Sequence, residues 1–214
     1  MHLHDRFAEF LSASEIIEAT PALLNDQRRR FVSSPDIVLQ PNSVENVQKI
    51  MRFCFENRIR VTPQGGNTGL CGATVTTEGV LLNLSKLNRI RDINLADNSM
   101  TVEAGVILQN AQKAADKAGR LFPLSLASEG SCQIGGNIAC NAGGLNVLRY
   151  GSMRDLVLGL EVVLPNGELV SHLQPLHKNT TGYDLRHLFI GSEGTLGIIT
   201  AATLKLFAQP KTKA

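Results

Sequence analysis

The chain has 214 residues, and its 21 lysines and arginines nearly balance 19 aspartates and glutamates, for a net charge of +2. That length allows one substantial α/β domain or two small lobes, with a core that needs neither a disulfide nor a structural metal. So even a charge balance excludes the electrostatic footprint of a nucleic-acid binder or of a protein drawn to an anionic membrane, and a small molecule is the expected partner.

The first 34 residues read as short helical pieces, one opened by Pro21, with the basic run Gln27–Arg30 as a solvated helix end. "MHLHDRFAEFLSAS" carries acidic residues and no long apolar run, so it is neither a signal peptide nor a membrane span. After Pro35, "DIVLQP" predicts a short strand. Val44, Val47, Ile50, Met51, Cys54 and Phe55 then recur at helical spacing behind a cap at Asn42 or Ser43. A strand over Ile59–Thr62 completes a strand, helix, strand unit of parallel, right-handed type that runs into "PQGGNTGL".

Beyond that loop, "GVLLNLSKL" predicts a buried strand, and "NRIRDINLADNSMTVEAG" two short strands joined by the polar turn Ala96–Ser99. Ile107, Leu108, Ala111, Ala114, Ala115 and Ala118 share a helical face that ends at Gly119. A long, glycine-rich, nearly uncharged passage follows, from Ser128 to Gly151, and reads as a functional loop. "LVLGLEVVLPNGELV" predicts a hairpin with a primed turn at Asn166-Gly167, and "LGIITAATLKLF" a last strand before a polar tail. Cys54, Cys71, Cys132 and Cys140 have neither zinc-ligand nor disulfide-framework spacing, and the five histidines show no ligand spacing. The cysteines read as reduced structural thiols, and a cytoplasmic location is expected from them.

The glycines decide where to look. Of 19, five lie in Gly65–Gly79, six in Gly130–Gly151 and four in Gly182–Gly197, a clustering that suggests three walls of one elongated site. The first cluster lacks the Lys-Ser/Thr of an ATP-type phosphate loop and does not fit GxGxxG. What remains is either a plain surface turn or a nest of inward main-chain N–H groups able to hold an anion by dipoles, with the Asn67 and Thr68 side chains adding donors. Ser131, Gln133, Asn137 and Asn141 interleave the paired glycines of the second cluster. That composition suits a wall against a large polar ring system.

These segments together, "PDIVLQPNSVENVQKIMRFCFENRIRVTPQGGNTGL", "IGGNIACNAGGLNVLRYG" and "GYDLRHLFIGSEGTLGIIT", resemble the FAD-binding domain of the FAD-linked oxidase superfamily, of the vanillyl-alcohol oxidase and PCMH type. Within it the sequence is most similar to the D-lactate, glycolate and D-2-hydroxyglutarate dehydrogenase branch. The resemblance implies an α+β fold of two α/β subdomains with FAD between them. It places subdomain 1 at about 35–95 and subdomain 2 at about 96–207, after an N-terminal extension over 1–34 and before a tail over 208–214. It also implies a C-terminal cap domain that this chain lacks, supplied if at all by another chain.

Residue by residue, the resemblance implies that Pro63, Gly65, Gly66, Asn67, Thr68, Gly69 and Leu70 form the FAD diphosphate loop. Ser131, Gly135, Gly136, Asn141, Ala142, Gly143 and Gly144 would line the ribityl chain and isoalloxazine. Pro123 and Leu124 would close the pocket, and Glu193, Gly194 and Ile199 would form a third contact. Asn67 stands where covalent relatives carry histidine, so the flavin is expected to be dissociable. The implied reaction is hydride transfer from a D-2-hydroxy acid to flavin N5, with a quinone, a cytochrome or an electron-transfer flavoprotein as acceptor. No catalytic acid or base and no metal site is expected within this chain. A non-catalytic flavin-binding subunit, and a reductase similar to UDP-N-acetylenolpyruvoylglucosamine reductase, remain alternatives.

Overall fold

The computed structural model describes residues 2–212; Met1, Lys213 and Ala214, at the ends of the expected extension and tail, lie outside them. The order of elements begins with α1 (Leu3–Ala8), a 3-10 turn (Ala13–Glu15), β1 (Ile16–Ile17), α2 (Pro21–Leu24), β2 (Ile37–Leu39), α3 (Val44–Glu56), β3 (Val61–Gln64) and β4 (Val80–Asn83). Then come β5 (Ile90–Asn94), β6 (Ser99–Glu103), α4 (Leu108–Lys117), β7 (Arg120–Leu121), α5 (Ile134–Ala139), α6 (Val147–Tyr150) and α7 (Met153–Leu156). The chain ends through β8 (Val157–Val163), β9 (Leu169–His172), α8 (Arg186–Phe189), β10 (Ile198–Lys205) and β11 (Phe207–Ala208). No helix among the described residues is long and apolar enough to cross a membrane.

Two sheets carry the fold. The first has the order β1-β2-β4-β3, with β4 parallel to both neighbours and β1 antiparallel at the edge. As the central strand, β4 is buried along its whole length, which explains why "VLLN" reads as an unbroken apolar run. The Ser43 hydroxyl accepts from the Asn46 N–H at the start of α3, and Val47, Ile50, Met51 and Cys54 enter the core. Burial in that apolar setting pushes the Cys54 thiol up to about 12. Phe55 departs from the expected face: it is 60% exposed, lying about 100° around α3 from the buried Cys54, while Phe53 packs edge-on against Phe7 and tilted against Phe10.

The N-terminal segment is also more than short helices. Phe7 and Leu11 are buried in the core of the first sheet, β1 extends that sheet, and Glu15 is buried between Ser12, the Asn42 N–H and Asn46 Nδ2. The basic run Gln27–Arg30 is an exposed turn. It is closed by Asp26, whose carboxylate accepts the N–H groups of Arg28, Arg30 and Phe31.

The second sheet is antiparallel, with the order β5-β6-β10-β8-β9. Asn166-Gly167 does mark the β8–β9 hairpin, but only Gly167 has positive φ (84°); the N–H of Gly167 meets the Leu164 carbonyl and the N–H of Leu164 meets the Glu168 carbonyl. The connection is therefore a turn with a glycine bulge and not a primed turn, and Gln48 of α3 holds its tip by donating to the Gly167 carbonyl (3.0 Å). The tail begins as structure too, since β11 pairs with β7.

Across the outer face of the second sheet runs a buried ionic array. Glu103, 1% exposed, accepts from Arg89 Nη2 (2.8 Å), and Glu161 accepts from Arg91 Nη2 (3.0 Å) and Thr200 Oγ1 (3.0 Å). Burial alone would raise the Glu103 pKa, but the hydrogen bonds and charge of Arg89 and Arg91 outweigh it and hold the carboxyl below the usual glutamate range. Its stabilisation is therefore complete above the unfolded glutamate pKa and is lost as pH falls through the lower folded value. The thermal midpoint should fall on acidification below about pH 5. Glu103→Gln should lower the midpoint at neutral pH and flatten that fall, which a calorimetric pH series measures.

Candidate functional site

Ligands of parallel sheets gather beyond the carboxyl ends of the strands. At that edge the first sheet carries a row of amides. Gln40 Nε2 donates to Asn83 Oδ1 (3.1 Å), Asn83 Nδ2 to Gln64 Oε1 (3.2 Å), and Gln64 Nε2 to the Leu23 carbonyl (2.8 Å). From this anchored edge the chain leaves β3 into the first glycine loop. Asn67 sits in the left-handed region at φ 52°, and among the described residues no backbone N–H from Gly65 to Gly69 finds an acceptor within the chain. Five consecutive unpartnered donors leave the loop able to receive an acceptor from a ligand.

The Asn67 side chain is not one of those donors. Its Nδ2 donates to the carbonyls of Ala22 (3.1 Å) and Asn25 (2.7 Å), and its Oδ1 accepts from Thr74 Oγ1 (2.9 Å). The amide binds the loop to α2 and to its own distal limb, and only its main chain is free for a ligand. Thr68 makes no side-chain hydrogen bond among the described residues and stays available.

The second wall is a helix where the sequence suggested a structureless loop. Gly135 is the reason α5 lies so close to β6: a Cβ there would stand 2.6 Å from Ala104 Cβ, and the Gly135 N–H meets the Ala104 carbonyl at 2.7 Å. Gly136, one position on, has no atom within 4 Å of where its Cβ would be. One glycine thus faces the sheet and its neighbour faces open space, as the rotation between successive helical residues requires. Gly66 closes the first wall onto the second, because a Cβ there would collide with the Ser131 carbonyl oxygen.

The third wall docks on the end of α5. The N–H groups of Gly191 and Glu193 donate to the carbonyls of Ile138 (3.1 Å) and Ala139 (3.0 Å), and Gly194, at φ 80°, leaves room for Pro63. Arg154 holds the segment from below through the His187 and Ile190 carbonyls.

Between the walls lies a cleft in two adjoining parts, of about 620 and 740 Å³ free volume and open to solvent. Pro63, Ala104, Glu193, Gly194 and Ile199 border the first part, and Gly66, Asn67, Thr68, Gly69, Asn137 and Ala142 the second. Gly65, Gln133, Gly136 and Cys140 border both. Glu193 is the one charged residue among them. Gln133 and Asn137 are 7% and 5% exposed, and Gln133 Oε1 and Asn137 Nδ2 have no hydrogen-bond partner.

Several expected residues sit elsewhere. Pro123 and Leu124 are buried beside a separate hollow bordered by Gln112 and Asn146, and Asn146 donates to the Pro123 carbonyl (2.8 Å). Leu70 is exposed at the loop's edge, Ser131 only backs Gly66, and Gly135 touches the cleft through its backbone. Asn141, at φ 48°, turns its Oδ1 to the Arg154 N–H (3.0 Å), while Gly143 and Gly144 bend the chain past Ser125 and away from the cleft. Cys71 and Cys140 are exposed and not core thiols, and Cys140 lies on the cleft wall. Burial, then the nearby Glu193 carboxylate and Cys71, raise its pKa, so at neutral pH it is a protonated thiol and a poor nucleophile. Ala73, Thr74 and Cys140 border the cleft without having been expected there, while Gln133 and Asn137, read from the sequence as part of a polar wall, border it as buried side chains.

Comparison with known proteins follows this geometry. Residues 35–172 match the family described as "FAD binding domain". The chain belongs to that family. A D-2-hydroxyglutarate–pyruvate transhydrogenase of Saccharomyces cerevisiae is 42% identical over 211 residues, 96% of this chain and 42% of the relative. D-2-hydroxyglutarate dehydrogenases of Xanthomonas citri pv. viticola and, named as mitochondrial, of Danio rerio are 47% and 46% identical, over 86% and 87% of this chain and 39% and 35% of theirs. The chain thus spans about two fifths of the length of these curated relatives or less. A solved alkyldihydroxyacetonephosphate synthase shares the fold, with a TM-score of 0.84, 21% identity and coverage of 98% of this chain and 39% of that one.

FAD is the cofactor of the FAD binding domain family, and the cleft fits it. A diphosphate offers only acceptors, and the loop offers five main-chain N–H donors without partners among the described residues. Gly136 leaves open space on the α5 wall for a flat ring, and two buried amides wait without partners. Gly136→Val should leave the thermal midpoint within a few degrees, since nothing opposes its Cβ, yet abolish FAD binding by filling the cleft. Gly66→Val should lose both, and flavin fluorescence quenching beside thermal unfolding separates the two outcomes.

Proposed function

We propose that the chain is the flavin-holding part of a dehydrogenase that oxidises a D-2-hydroxy acid, of the D-2-hydroxyglutarate class, to the 2-oxo acid. The observation that carries the reading is the loop Gly65–Gly69, with its free main-chain donors, set opposite the glycine face of α5 in a chain whose named relatives act on D-2-hydroxyglutarate. FAD, when bound, supplies the hydride acceptor. The chain's own residues bind and orient it. The N–H groups of Gly65, Gly66, Asn67, Thr68 and Gly69 take the diphosphate, Gly136 and Ala142 leave room for the rest, and Glu193, Gly194 and Ile199 close the far end. No imidazole or thiol reaches the flavin from position 67, so FAD is held without a covalent bond.

Substrate recognition lies outside this cleft. A 2-hydroxy acid carboxylate calls for a cation, and among the described residues the only charge bordering the cleft is Glu193. Outside the cleft lining, apolar side chains stand bare, with Leu145 85%, Leu148 100% and Tyr183 94% exposed. Such exposure suits a surface that a further domain or another chain covers. The electron acceptor is a quinone, a cytochrome or an electron-transfer flavoprotein. The reduced thiols fit a reducing compartment, whether cytoplasm or the mitochondrial interior named for some relatives.

The flavin absorbance of the FAD-loaded chain should survive anaerobic addition of D-2-hydroxyglutarate. It should bleach once the chain is extended by the C-terminal remainder of a relative. Bleaching by NADPH in place of the hydroxy acid would overturn the reading in favour of a reductase. Acid precipitation should leave the yellow colour in the supernatant; colour retained in the pellet would refute non-covalent binding.

A further inference from the structure

We infer that Gln133 and Asn137 form a two-point amide clamp on FAD, with Asn137 donating to the diphosphate and Gln133 accepting from a hydroxyl beside it. The inference rests on the flavin reading above and deepens it. Both side chains are more than nine-tenths buried, neither makes any hydrogen bond among the described residues, and each has one atom wholly shut from solvent and unpartnered: Gln133 Oε1 and Asn137 Nδ2. A buried amide without a partner destabilises a fold, so a pair of them on one wall of a cleft marks where a ligand completes the hydrogen bonding.

Position and chemistry assign the roles. Gln133 and Asn137 are four residues apart at the start and within the first turn of α5, on the face that also presents Gly136. Asn137 borders only the part of the cleft lined by Gly65–Gly69, whose five main-chain N–H groups have no acceptor among the described residues. Its free atom is a donor, which suits an oxygen of the diphosphate. Gln133 borders both parts, and its Oε1 lies 3.4 Å from where a Cβ on Gly65 would stand. An acceptor there repels a phosphate oxygen and must meet a donor, and the only donors flanking the diphosphate of FAD are the hydroxyls of its sugar and ribityl chain. The clamp therefore straddles the junction between phosphate and polyol.

The test reads two quantities on the full chain, the thermal midpoint without FAD and the dissociation constant for FAD by flavin fluorescence. Asn137→Leu and Gln133→Met keep the volume and remove the unpaired polar atoms. Each should raise the FAD-free midpoint and weaken FAD binding by roughly ten- to a hundredfold for Asn137 and about tenfold for Gln133. Asn137→Asp places a carboxylate against the diphosphate and should weaken binding more than Asn137→Leu, with the difference shrinking as salt is added. A fall in the FAD-free midpoint of the apolar variants would show that the amides serve the fold, and would overturn the clamp. Unchanged FAD affinity in variants of a chain that binds FAD as wild type would overturn the clamp alone. No FAD binding by wild type would remove the flavin reading and the clamp with it, and Asn137→Asp binding as tightly as Asn137→Leu would overturn the diphosphate assignment.

Discussion

The close approach of α5 to β6 is the constraint on which the rest of the site depends. A cleft that holds a large ligand by main-chain groups must keep side chains out of it, and helices ordinarily surround themselves with Cβ atoms. Two adjacent glycines resolve the conflict. Gly135 lets the helix sit against Ala104 at a distance that alanine would forbid, and Gly136 leaves the opposite face bare. Once α5 is fixed there, the carbonyls of Ile138 and Ala139 at its end receive the third glycine segment, and the Ser131 carbonyl just before it sets how near Gly66 can come. All three walls take their positions from one helix of six residues.

The first glycine loop is held in place by different contacts. Its free N–H groups are useful only if they point the same way before a ligand arrives, since each residue ordered at binding costs about 1–2 kcal/mol. The ordering is done beforehand by side chains that point away from the ligand. Gln64 and Asn83 fix the base of the loop from the ends of two strands, and Asn67 ties its crest to the carbonyls after α2. The N-terminal segment therefore acts on the site without touching it: Phe7 and Leu11 anchor it in the core, and α2 receives the loop.

Charge is distributed to match. Glu103 and Glu161, buried in the second sheet, are neutralised by Arg91 and by the exposed Arg89, and none of the four borders the cleft. The cleft itself holds one carboxylate and many dipoles. Such a site can hold a diphosphate internal to a neutral-edged cofactor without the lysine that a terminal triphosphate requires. No lysine or arginine borders the cleft among the described residues.

Much of this was legible in the residues alone. The periods of burial announced β2, α3, β4, β5, β6, α4 and β10, because a strand or helix with one covered face must repeat its apolar residues at fixed spacing. Three glycine clusters announced a backbone-lined site, and their motifs announced the family. Other features were decided only by partners distant in sequence. A two-residue strand such as β1 or β7 has no pattern of its own and exists because β2 or β11 lies beside it. The direction of the Asn67 amide depended on carbonyls more than forty residues earlier, and the aromatic partners of Phe53, which are Phe7 and Phe10, lie as far back in the chain. "IGGNIA" forms a helix packed on Ala104, just beyond β6, through Gly135 alone, although glycine in isolation disfavours a helix by about 1 kcal/mol. Local sequence therefore determined which segments are covered and what chemistry they bring. Tertiary packing determined which way that chemistry faces, because an amide or a glycine takes its direction from the atoms that surround it.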